Sequence, residues 1–120
     1  MSLSGRAVAE FVGTALLVAI VIGSGIMAET LTSDVGVRLL LNQLATVLGL
    51  GVLIAVLMPI SGAHINPAVS LAILLRREIS GGEAAVYVIA QLLGGMGGVA
   101  LAHVMFGRAV LEISGNDRLT

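Results

Sequence analysis

An uncharged stretch over residues 39–75 constrains this chain more than any other feature. As one helix it would reach roughly 55 Å, well beyond a hydrocarbon core of about 30 Å, so it must break. The break is written as PISGAHINP over residues 59–67. Pro59 and Pro67 lack a backbone donor and disfavour helix in the residue before them, while Ser61, Gly62 and Asn66 bring turn chemistry. Residues 39–58 are then expected to form one full span. The helix that restarts at Pro67 has only about 15 Å before Arg76 and Arg77 end it at a water interface, where cations also suit the negative end of a helix dipole. Segment 59–77 is therefore expected to enter and leave on the same side as a re-entrant loop with a half-membrane helix. Irregular backbone at membrane depth must be buried in protein or line a watery cavity, so a pore or binding site is implied.

The rest of the chain supplies two more spans. Residues 11–28 carry no charge, and the run reaches back to Ala7 if Glu10 is admitted, giving a span of about 7–28. A cleaved signal peptide is the alternative, opposed by the length of the run, by Glu10 and by the apolar stretches that follow. The segment ETLTSDVGVR, residues 29–38, reads as an extramembrane loop. After the linker EISGGE, residues 84–107 are uncharged and form the third span, followed by a polar tail over residues 108–120. The chain is 58% hydrophobic and 11% charged, too apolar for an ordinary soluble domain. Its six cations, all Arg, against seven carboxylates leave no basic surface for nucleic acid. With no Cys and only two His, no metal site and no cofactor is expected. The whole of residues 1–120 thus reads as one all-α membrane unit of three transmembrane helices and a re-entrant half-helix, multi-pass in a lipid bilayer.

Small residues recur every four positions, at Ala15, Ala19 and Gly23 and again at Gly94, Gly98 and Ala102. Such stripes let membrane helices approach closely, and packing explains them. A phosphate-cradling loop at GGMGG is the weaker alternative, since it lies mid-span with no Lys after it.

In SGAHINPAVS, Asn66 takes the N-cap position and Pro67 the first helical position. The free amides and the roughly half positive charge of that helix end point to the bilayer middle, repelling cations and protons. A neutral solute with a lone pair can accept a hydrogen bond there, and the Asn66 amide offers a further donor.

SGAHINPAVS resembles the first signature loop of the major intrinsic protein family, the aquaporins and aquaglyceroporins. AEFVGTALLV resembles the family's first helix and YVIAQLLGG its third, so the resemblance runs along nearly the whole chain. It implies that Asn66, Pro67 and Ala68 are the pore-lining Asn-Pro-Ala motif, and that Gly62, Ala63, His64 and Ile65 form extended backbone whose carbonyls line the path. It further implies that Glu10 props the loop by accepting its backbone donors, with Gln91 in an analogous role. A carboxylate inside a span is costly and generally faces a partner, although Glu10 at the interface with its head in water is the alternative. An ungapped alignment puts Thr46 in the narrow selectivity filter, while the glycines at Gly49 and Gly51 argue for a shift of a few residues. His64 is either a pore-lining or pH-sensitive group or a ring hydrogen-bonded into place; His103 reads as a helix-contact residue.

The family builds its pore from two inverted repeats, and this chain contains one. Either the sequence belongs to a longer channel, the reading the open polar tail favours, or it is a half-length protein pairing with itself or another half. With the N-terminus inside, Arg6, Arg76 and Arg77 face Arg38, Arg108 and Arg118, so the positive-inside rule gives no preferred orientation. The expected function is passive passage of water or small neutral solutes such as glycerol, in the cell (plasma) membrane, by a homo-oligomer and not by an enzyme. The alternatives are a non-conducting structural membrane protein or channel fragment needing a second half, and an intramembrane hydrolase using Ser61 and His64 without an orienting carboxylate.

Overall fold

The computed structural model describes residues 1–108. The rest of the polar tail, with Arg118 of the charge balance, lies outside the described residues. Four helices follow one another: α1 (Leu3–Leu31), α2 (Val35–Ser61), α3 (Pro67–Leu75) and α4 (Gly81–Met105). With 29, 27 and 25 residues, α1, α2 and α4 each rise about 38–44 Å, enough to cross the hydrocarbon core and reach into the headgroups. All three are apolar enough to span a membrane.

The three long helices start earlier than the expected spans, and α1 and α2 also end later while α4 stops at Met105, for local reasons. The Ser2 hydroxyl accepts from Gly5 N and starts α1, and the Asp34 carboxylate accepts from Val37 N at 2.8 Å and starts α2. The expected loop over residues 29–38 thereby shrinks to a tight turn, clamped by Arg38 donating to the carbonyls of Thr32 at 2.7 Å and Glu29 at 3.3 Å. Pro59 does not end α2. The helix runs through it to Ser61 and stops at Gly62, whose φ of +87° is the left-handed conformation that glycine adopts without penalty. α4 begins with a reciprocal capping box, Ser80 accepting from Glu83 N while Glu83 accepts from Ser80 N, both at 3.1 Å.

Contact residues set the topology. Gly94 lies against the Phe11 backbone and Gly98 against that of Ala15, so α4 runs parallel to α1 with backbones nearly touching; a Cβ at either glycine would collide with a carbonyl oxygen. Gly13 meets Leu57, Gly49 meets Ile20 and Gly25 meets Asn42, so α2 runs antiparallel to α1. The Gly94, Gly98 and Ala102 stripe is buried, as a membrane helix interface built on small residues requires. Around this centre, large apolar side chains such as Leu44, Leu48, Val52, Leu92 and Met96 point outward, the arrangement suited to lipid.

α3 is nine residues long, about 14 Å, and cannot cross. Its Asn66 cap accepts from Ala68 N at 2.8 Å, Pro67 takes the first turn, and Arg76 and Arg77 close it. α3 packs on α4 and leaves Leu71 and Leu75 exposed.

Candidate functional site: a half-helix held by a buried carboxylate

The segment joining α2 to α3 is not extended strand. Gly62, Ala63 and Ile65 have φ of +87°, +51° and +41°, and the left-handed conformation costs about 1–2 kcal/mol for a residue with a Cβ. The reason is on α1. Glu10 is fully buried, and its carboxylate takes the backbone amides of His64 at 3.1 Å and Ile65 at 2.7 Å. Left-handed residues in such a loop can turn successive amides onto one anion, as in an anion-binding nest. The expected extended backbone is corrected accordingly: the carboxylate gathers the loop into a coil around itself.

Two side chains complete the shell. Ser61 donates to Glu10 Oε2 at 2.6 Å, and Gln91 Nε2 donates to Oε1 at 2.8 Å. Four donors occupy the two oxygens, which matches the acceptor capacity of a carboxylate. An intramembrane carboxylate is tolerable only with such partners, and the Glu10 head is enclosed by them and not turned to water. Ser61 also accepts from Ala63 N at 3.2 Å, and its backbone carbonyl accepts from the Tyr87 hydroxyl at 2.7 Å. The His64 ring packs on Tyr87 with centroids 4.8 Å apart and joins Ser70 through Nδ1 at 2.8 Å. Ser61 and His64 therefore do not make a nucleophile–base pair; the Ser61 hydroxyl is bound to Glu10 and the ring to Ser70.

Gln91 reaches α3 as well, donating to Ser70 Oγ at 3.0 Å. One amide thus ties α1, α4 and the half-helix together. At the end where α1 and α4 begin, Arg6 pairs with Glu83 at 2.7 Å and lies 5.8 Å from the Tyr87 ring centre.

The structure brings Glu10, Gln91 and the loop residues Gly62, Ala63, His64 and Ile65 into one cluster. Ala63, His64 and Ile65 are buried, whereas Asn66, Pro67 and Ala68 are exposed at the tip. Because Asn66 Oδ1 is used by Ala68 N, its amide group remains as a donor at that surface. Thr46 is not joined to this cluster; its hydroxyl donates to Asn42 Oδ1 at 3.3 Å, and Asn42 in turn donates to the Val21 carbonyl. His103 is buried on α4. Sequence reasoning missed Ser70 and Tyr87, and considered Ser61 only as a turn residue or a nucleophile. A signal existed for Tyr87: with Gln91 and the glycines at 94 and 98 it recurs on one face of α4, so polar groups there had to face α1 and the loop.

Fold and site define a multi-pass helical membrane protein with a half-membrane helix anchored on a buried carboxylate. A sequence model of the major intrinsic protein family matches residues 1–118, and the chain belongs to that family. It is 51% identical over 112 residues to aquaglyceroporin AqpS of Rhizobium meliloti (strain 1021), covering 93% of this chain and 48% of that protein. It is 35% identical over 113 residues to the glycerol uptake facilitator protein of Pseudomonas aeruginosa, covering 92% and 39%. Rat (Rattus norvegicus) aquaporin-2 is 40% identical over 103 residues, covering 86% and 36%. The chain spans about half the length of AqpS and less of the other two.

Proposed function

We propose that this chain forms one half of a passive channel for water or small neutral solutes such as glycerol, and does no chemistry. The observation that carries the reading is the tip of α3, where the exposed Asn66 keeps its amide free to donate while its carbonyl caps the helix. Passing solutes accept from that amide, and the positive end of the half-helix opposes cations and protons, as in aquaporin-type pores generally. Asn66, Pro67 and Ala68 line the narrow point; Gly62, Ala63, His64 and Ile65 line the approach to it. Glu10 and Gln91 hold the loop without touching solute. Thr46 is assigned to the filter by the family alignment alone.

A second half-repeat, from another copy or another chain, completes the pore. The outward Leu71 and Leu75 of α3, together with the outer face of α2, offer it an apolar surface. Assembly into homo-oligomers and residence in the plasma membrane belong to the same proposal, as does the absence of a catalytic role.

Stopped-flow light scattering from osmotically shocked liposomes tests the reading, with protein-free and Asn66→Leu vesicles as controls. Fast shrinkage abolished by Asn66→Leu supports a pore assembled from half-length copies. Shrinkage no faster than bare lipid, from protein shown to be inserted and helical, means that conduction needs a different second half.

A further inference from the structure

We propose that Ser70 is a positioning residue that fixes the tautomer of the neutral His64 ring, with its proton on Nε2. The argument is one of hydrogen-bond direction. Gln91 Nε2 lies 2.8 Å from Glu10 Oε1, and Glu10 is an acceptor at both oxygens, so the amide nitrogen faces the carboxylate. Flipping the amide would set two oxygens against each other at that distance. The same nitrogen therefore donates to Ser70 Oγ at 3.0 Å. Ser70 is fully buried, and among the described residues the acceptor that its own hydroxyl proton can reach is His64 Nδ1 at 2.8 Å. Were Nδ1 protonated instead, Ser70 would accept twice and its proton would be stranded without a partner.

The order runs from Gln91 to Ser70 to His64, with its sense set by Glu10. Nδ1 is then an acceptor, and the ring proton sits on Nε2. That atom lies beside Gly62. It has no hydrogen-bond partner among the described residues, yet it is not one of the buried unpartnered atoms, which are Arg6 Nε, Thr14 Oγ1 and Gln91 Oε1. The relay thus turns a histidine that can present either a donor or an acceptor into a fixed donor beside Gly62. Use of that donor by a solute rests on the channel reading above; the tautomer does not.

The test is 15N solid-state NMR of the histidine-labelled protein in lipid vesicles at mildly alkaline pH, with His64 assigned from the signals lost in His64→Gln. The wild-type ring should show an unprotonated, hydrogen-bonded Nδ1 and a protonated Nε2. In Ser70→Ala the Nδ1 signal should move to its unbonded position, and the Nδ1–H form should rise about fivefold, as expected for one lost hydrogen bond. Ser70→Thr should keep the wild-type spectrum. A wild-type ring protonated on Nδ1 overturns the proposal whether or not Ser70→Ala folds, and so does a Ser70→Ala spectrum identical to wild type. An Nε2–H ring in vesicles that pass no solute supports the relay and means only that conduction needs a different second half.

Discussion

Glu10 Oε1 accepts the backbone amide of Ile65 at 2.7 Å across 55 positions of sequence, and this contact ties the loop that leads into α3 to α1. Ile65 is left-handed at φ +41° and 4% exposed, so the bond stabilises a strained, β-branched residue in the core. Strain of that kind persists only where its surroundings over-determine it.

Removing the carboxylate should therefore loosen the loop before it loosens the bundle. Glu10→Ala leaves four donors without their acceptor, and stability should fall by about 3 kcal/mol or more. Thermal unfolding in detergent reads the loss, and limited proteolysis should cut within residues 62–66 first. Unchanged melting and protection of that segment would contradict the support role.

Asn66→Asp separates capping from charge. An aspartate caps as well as an asparagine, so α3 should persist, but its negative charge offsets the positive helix end to which the proposed channel assigns its cation barrier. Potassium leak from reconstituted vesicles should rise while helicity by circular dichroism stays constant. A tight vesicle would show that the barrier lies elsewhere.

The glycines divide into two groups. Gly98→Leu forces a side chain into the Ala15 backbone and should cost at least about 3 kcal/mol, at the upper end of overpacking, or separate α4 from α1. Gly51 meets nothing within 4 Å, so Gly51→Ala should stabilise α2 by about 1 kcal/mol through helix propensity. Melting temperatures of the pair moving in opposite directions would confirm the register; a common shift would refute it.

Ala63→Gly removes a Cβ from a residue at φ +51° and should stabilise the protein by about 1 kcal/mol, whereas Ala63→Val should destabilise it. Chemical denaturation of the two variants beside wild type measures the difference. An order of Val above Gly would mean that the loop does not keep its left-handed turn in the membrane.

Membrane character was legible in the residues because apolar runs of sufficient length leave few alternatives in a bilayer, and the short helix was legible because Asn66 and Pro67 are local signals. Helix ends were less so. Pro59 reads as a stop, yet α2 continues for two residues past it and ends where Gly62 turns left-handed, since a missing donor weakens a helix while a neighbouring left-handed glycine terminates it. Asp34 extends α2 backward into a segment that composition marked as loop.

By itself, the sequence determined the three spans, the half-helix, its cap and the small-residue stripes, because each depends on neighbours within a few turns. Only the tertiary structure decided that Glu10 coils the loop around itself, that Ser61, Ser70 and Tyr87 belong to the same polar cluster, and that Arg6 pairs with Glu83 across 77 positions. Those contacts join residues with no local signal for one another. Arg6 and Glu83 pair at the partly exposed end of the bundle. The contacts around Glu10 form because a bilayer gives buried polar groups no water, so a carboxylate there needs donors from wherever the packing of α1, α3 and α4 brings them.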